Sequence, residues 1–145
     1  MQTNPAGSAY PNALSQINIF VLLDVLGSAN PTIPSYYLLT HWVYKHMANL
    51  ESRLRKLDLL ETTTAAFLPG TDEIARQEDE AMDDYVPFMN RGVPFLHLLP
   101  SPLPSNRHTI DDDADHLDLP TVKDWAKIVT GLAFEWLDMM EVWHG

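Results

Sequence analysis

Asp24, Asp83, His97 and His108 are the residues whose types and surroundings suit proton or metal chemistry. Asp83 and Asp84 stand directly before Tyr85-Val86-Pro87-Phe88, so one of the two acids can turn inward with the apolar segment that follows. Two inward acids near each other tend to share a proton, because like charges disfavour joint ionisation. A shared proton suits general acid–base work. His108 lies in a loop beyond an apolar run, with Asp111, Asp112, Asp113 and Asp115 close behind it. Neutral imidazole binds zinc well, and neighbouring carboxylates can fix its tautomer, so His108 is the best metal-ligand candidate. Asp24 ends the apolar run Ile17–Leu23. A carboxylate there is costly to bury unless it is paired, protonated or on a metal; the competing reading is a cap for the Gly27-Ser28 turn. His97 is flanked by Phe95, Leu96, Leu98 and Leu99. It reads as a hydrogen-bonded core residue that supports a site or walls a pocket, rather than as a ligand.

Other patterns carry less. Asp111-x-Asp113-x-Asp115 fails as a calcium loop, because His116 stands where Gly is needed and Val122 where Glu is needed. His41 and His46 do not share a helix face as an i, i+4 pair would, and His116 and His144 have no nameable partner. Nucleophile elbow, P-loop and dinucleotide fingerprints are absent from the sequence.

The elements that must position these residues follow from periodicity. The chain has 145 residues and is 46% hydrophobic, which fits one domain with a real core. It has no cysteine, so any metal is held by His and carboxylate. Its net charge of −11 argues against binding a phosphate backbone. No stretch is apolar enough to span a membrane, and Met1–Pro11 lacks the layout of a signal peptide. Residues 1–14 read as an irregular lead-in and 141–145 as a tail. Ile17–Leu23 predicts a strand buried on both faces, with Asp24 at its carboxyl end. A helix is predicted from Ser35 as N-cap, its core stripe being Leu39, Val43, Met47, Leu50, Leu54 and Leu57. Lys45, Glu51, Arg53, Arg55 and Lys56 take its wet face. Residues 61–82 read as a surface excursion, and Val93–Leu99 as a second buried strand closed by Pro100-Ser101-Pro102-Leu103-Pro104. A last helix carries Pro120 in its first turn and Val122, Trp125, Val129, Leu132, Trp136 and Met140 on its core face. The predicted fold class is α/β, a partial mixed or parallel sheet flanked by helices.

Several blocks in order resemble glutaminyl-peptide cyclotransferases, relatives of the zinc aminopeptidases. They are Phe20–Gly27 with Asn30-Pro31-Thr32, Asp83-Asp84 through Phe88, Arg91–Pro102, and His108–Asp112. The resemblance runs from about Asn12 to Met140 and implies that residues 15–140 are the C-terminal half of one zinc aminopeptidase-like α/β/α domain. It implies conversion of an N-terminal Gln to pyroglutamate with ammonia release, using one zinc. His108 matches the zinc histidine; Asp24 and Asp83 match two acids in a hydrogen-bonded chain to the catalytic base; His97 and Leu103 match pocket residues. The other two zinc ligands and the base have no counterpart here, so the resemblance implies a missing N-terminal half as partner. The family usually has Trp just before the zinc histidine; here Arg107 stands there, which bears on substrate affinity. Substrates would be peptides or proteins with N-terminal Gln, and the compartment, by resemblance, secretory or extracellular. An aminopeptidase of the same superfamily, with Asp24 on a second metal, and a non-catalytic remnant remain as alternatives. The isolated chain is expected to be inactive and poorly stable, since buried-type strands with open edges invite aggregation.

Overall fold

Short apolar runs bounded by Pro and Gly give the strands, and longer amphipathic runs give the helices. The computed structural model describes residues 16–75, 92–104 and 114–144. In order these form β1 (Phe20–Leu23), a 3₁₀ turn over Leu38–Thr40, α1 (His41–Lys56), β2 (Phe95–Leu98), a second 3₁₀ turn over Ala114–His116, and α2 (Leu119–His144). β1 and β2 pair in parallel, with Phe20 opposite Phe95 and Leu23 opposite Leu98. The predicted α/β class holds: a small parallel sheet is packed with two helices.

The core gathers Val43, Tyr44, Met47 and Leu50 from α1, Trp125, Ile128 and Leu132 from α2, and Leu96 and Leu98 from β2. Gly131 lets α1 and α2 approach closely, because a Cβ there would stand 3.0 Å from Leu50 Cδ2. As predicted, Pro120 lies in the first turn of α2, where its missing N–H costs nothing.

Several expectations are corrected. β1 is shorter than Ile17–Leu23 and is not buried on both faces: its residues are partly exposed and Leu23 is 49% exposed. β2, in contrast, is buried throughout. Ser35 does not cap α1, which begins at His41; Ser35 is buried and bridges to Ile74. Pro34 keeps that segment extended. Leu39 and Leu57 fall off the core stripe and are exposed, because they lie outside the α-helix proper. Most of residues 61–75 is exposed, as expected of a surface excursion, but Phe67 and Leu68 within it are buried in the core.

Glu51, expected on the wet face of α1, is instead fully buried. Its carboxylate accepts from the Phe67 and Leu68 amides at 2.8 and 2.9 Å. It also accepts from Arg55 Nε and a terminal guanidinium nitrogen at 3.0 and 2.9 Å. Arg55 in turn donates to the Thr62 carbonyl at 2.9 Å and lies 4.8 Å over the Phe67 ring. Burying a carboxylate costs several kcal/mol unless such bonds fill its lone pairs. Glu51 therefore acts as a staple that folds residues 62–68 back onto α1.

Asp124, also fully buried, staples the same segment from α2. It accepts from the Glu61 and Thr62 amides, each at 2.8 Å, and from the Thr62 hydroxyl at 2.6 Å. Burial pushes its carboxyl up, but the Thr62 hydroxyl, the two amides and Lys127 outweigh that and hold it below the ordinary range.

Glu51→Ala leaves two amides and a guanidinium without their acceptor, and is expected to cost about 3–5 kcal/mol, read as a lowered urea midpoint; a shift below about 0.5 kcal/mol would remove the staple from the account. Because the folded pKa of Asp124 lies below its unfolded value, its contribution is present above about pH 4 and is lost as pH falls through the folded value. Asp124→Asn should therefore flatten the acid limb of stability against pH, and an unchanged limb would show that other carboxylates set it.

Candidate functional site

The pairing register decides what meets at the carboxyl ends of the strands. Leu22 stands opposite His97. Alternation puts Leu22 and Asp24 on one face of β1, and paired residues of neighbouring strands share a face, so His97 joins them. Asp24 N–H donates to the Leu98 carbonyl at 3.1 Å, which carries the ladder one step beyond the strand and fixes the Asp24 backbone. The result is a contact of 3.1 Å between His97 Nε2 and Asp24 Oδ2. The imidazole is 1% exposed as a residue, and the Asp24 side chain 20% exposed. The Asp24 carboxylate contacts His97, and among the described residues no hydrogen bond joins it to the Gly27 or Ser28 amide, as the cap reading would need.

The walls around the pair are aromatic. The Tyr36 and Phe95 rings lie 6.1 and 5.7 Å from the His97 ring, both tilted. The Tyr36 hydroxyl donates to the Leu99 carbonyl at 2.8 Å, just past β2. Leu103 packs against the Tyr36–Leu99 cluster together with Val25, Tyr37 and Ala75. Ser101 N–H donates to the Thr32 carbonyl at 2.9 Å, which ties the start of the proline-rich loop to the segment after β1. Val25 turns the chain directly after Asp24 with φ 57°. A β-branched residue in the left-handed region is strained and persists only where its surroundings over-determine it.

The structure thus brings Asp24, His97 and Leu103 to one end of the sheet, where open α/β sheets bind ligands. Asp83, Arg107 and His108 lie outside the described residues, as do Asp111, Asp112 and Asp113. Tyr36 was not foreseen as a site residue; its position after Pro34-Ser35 pointed to a helix start, and no sequence signal linked it to His97. The remaining histidines of α1 are engaged locally: His41 Nδ1 lies 2.8 Å from Ser35 Oγ, and His46 Nε2 lies 2.5 Å from Glu135 Oε2. Burial pushes the Glu135 carboxyl up, but Arg53 and His46 outweigh that and hold it below the ordinary range.

Among the described residues, no three His, Asp or Glu side chains gather into a group that could hold a metal ion. These residues alone therefore do not fit a zinc centre. No described helix is long and apolar enough to cross a membrane.

Residues 5–133 match the Peptidase family M28 profile. A glutaminyl-peptide cyclotransferase from Boiga dendrophila is 37% identical over 94% of this chain and 36% of its own length. One from Drosophila melanogaster is 38% identical over 86% of this chain and 37% of its own length. The crystal structure of a Macrostomum lignano glutaminyl cyclase superposes with a TM-score of 0.79 at 28% identity, covering 90% of this chain and 43% of that one. The chain spans little more than a third of the length of the curated relatives it matches. With a profile match across nearly all of its residues and a parallel α/β core that superposes on a solved cyclase, the chain belongs to Peptidase family M28 and is similar, within it, to the glutaminyl-peptide cyclotransferases.

Proposed function

We propose that this chain carries part of the site of a zinc-dependent glutaminyl-peptide cyclotransferase, which closes an N-terminal Gln to pyroglutamate and releases ammonia. The observation that carries the reading is the Asp24–His97 pair at the carboxyl ends of two parallel strands, in a chain whose relatives bear that enzyme's name. The reaction forms a bond from the α-amine nitrogen to the side-chain amide carbon and breaks the bond to the departing nitrogen. One proton must travel from the attacking amine to the leaving ammonia, work suited to a carboxyl-based relay. Asp24 and Asp83 are assigned to that relay as acids that hold and share a proton. His97 orients Asp24 from its buried side, and His97, Leu103 and Arg107 wall the substrate pocket.

Zinc dependence belongs to the same proposal. His108 is assigned as one ligand, and since a catalytic zinc needs about three protein ligands plus an open position, the rest fall to polypeptide outside this chain. Residues 15–140 are then part of one cyclotransferase domain, its substrates are peptides or proteins with N-terminal Gln, and its compartment is the secretory pathway. The alternative aminopeptidase reading makes Asp24 a ligand to a second metal; the engagement of its Oδ2 by a buried imidazole favours the relay role instead.

The test is ammonia release from a Gln-initiated peptide. Protein assembled from this chain and the unmatched portion of a relative is expected to turn it over with one zinc per site, the isolated chain is not, and Asp24→Asn should lower kcat at least about a hundredfold, the low end for one acid–base group. Peptide-bond cleavage in place of ring closure, or two metals per site, would overturn the cyclase reading in favour of a peptidase; full turnover by the isolated chain would refute the division of the site.

A further inference from the structure

Side-chain hydroxyls grip β2 on the edge that faces away from β1. The Pro94 and Leu98 carbonyls accept from the Phe20 and Asp24 amides, at 2.8 and 3.1 Å. Backbone groups alternate along a strand, so the Phe95 and Leu99 carbonyls point away from β1. Each meets a side chain from the segment before α1. Thr40 Oγ1 donates to the Phe95 carbonyl at 2.6 Å, and the Tyr36 hydroxyl donates to the Leu99 carbonyl at 2.8 Å. Further along, the Thr32 carbonyl accepts from Ser101 N–H at 2.9 Å. Residues 32–40 therefore run against β2 in antiparallel order, and the two hydroxyls hold the backbone on either side of His97. Tyr36, Thr40, Phe95 and Leu99 are all buried.

Tyr36 makes further contacts. Its ring lies 6.1 Å from the His97 imidazole. It also clusters with Leu99, and Leu103 packs against the two. The residue before it is pinned, since the Ser35 carbonyl accepts from Ala75 N–H at 2.8 Å. The loop that follows Leu99 has few donors of its own: in Pro100-Ser101-Pro102-Leu103-Pro104 only Ser101 and Leu103 carry an amide N–H. The Tyr36 hydroxyl and the Thr32 carbonyl thus hold this loop on either side of Pro100.

We propose that Tyr36 is a positioning residue of the site, with two separable duties. Its ring keeps water from the His97 imidazole and holds the imidazole against Asp24. Its hydroxyl fixes the Leu99 carbonyl, and with it the course of the loop that brings Leu103 to the pocket wall. The ring then acts on turnover through His97 and Asp24, and the hydroxyl acts on substrate affinity through Leu103. These effects on catalysis rest on the cyclotransferase reading; the two contacts themselves are measurable without turnover.

The test compares Tyr36→Phe, which removes the hydroxyl alone, with Tyr36→Leu, which removes the ring as well. Hydrogen exchange with water is followed by NMR at three places: the His97 ring N–H, assigned by its loss in His97→Gln, the Ser101 amide, and the Leu50 amide within α1 as reference. The full chain is used, or the protein completed with the unmatched portion of a relative where the chain alone is too unstable. Relative to Leu50, Tyr36→Leu is expected to speed exchange at the His97 ring at least about tenfold, the measure of one hydrogen bond. Tyr36→Phe should spare the ring and speed the Ser101 amide by a similar factor. Tyr36→Met replaces Tyr36→Leu if the latter loses its helical circular dichroism. In the completed protein, Tyr36→Phe should raise KM at least about fivefold with kcat unchanged, and Tyr36→Leu should lower kcat at least about tenfold. Acceleration of all three places by one factor would show a residue that only stabilises the fold and would overturn the proposal, as would unchanged exchange at both His97 and Ser101. A loss of kcat in Tyr36→Phe equal to that in Tyr36→Leu would overturn the division of duties. A completed wild-type protein that releases no ammonia would remove the cyclotransferase reading, and the exchange rates alone would then decide the role of Tyr36.

Discussion

The parallel register of β1 on β2 is the constraint on which the site depends. Leu22 opposite His97 means that Asp24, one alternation further on, stands diagonally from the imidazole on the same face. A slip by one residue would turn Asp24 to the other face and leave a buried imidazole facing apolar side chains. The bond from Asp24 N–H to the Leu98 carbonyl locks that register at the strand end, where the chain then turns at the strained Val25. What makes the pair chemically suggestive is the combination of a wholly buried imidazole and a carboxylate that keeps some contact with solvent.

Two buried carboxylates keep the rest of the chain compatible with that register. Glu51 from α1 and Asp124 from α2 hold the segment 61–68 between the helices. Phe67, tied to Glu51 through its amide, accepts through its carbonyl from Ile33 N–H at 2.8 Å. The adjacent Thr32 carbonyl accepts from Ser101, at the start of the loop that carries Leu103. A continuous run of hydrogen bonds and short backbone steps thus leads from the centre of α1 to the wall of the site. Buried polar networks that are fully bonded rigidify the fold that contains them.

Much of this was legible in the sequence where hydrophobic pattern alone decides. The two strands, both helices, the α/β class and the burial of His97 follow from apolar runs and their spacing. The Asp24–His97 pair was not legible from the residues by themselves, because register depends on contacts between segments far apart in sequence. Glu51 was misplaced for a related reason: a charged residue in an amphipathic helix looks solvated until its acceptor oxygens are matched to amides sixteen and seventeen residues away. Phe67 and Leu68 read as surface because polar and acidic residues surround them, and the Glu51 staple explains the burial of these two. Tyr36 carried no signal, since its role arises from the carbonyl of Leu99.

The chain's family membership and its partial length together frame what the pair can be: one part of a site that other polypeptide completes. Before any question of turnover, the pair itself must be energetically real. The most direct measurement is a double-mutant cycle on folding stability with Asp24→Ala and His97→Ala, read from urea unfolding. The account predicts a coupling energy of about 1–3 kcal/mol, as for a buried hydrogen bond to a charged group. Single-mutant effects that add to within about 0.5 kcal/mol would contradict it.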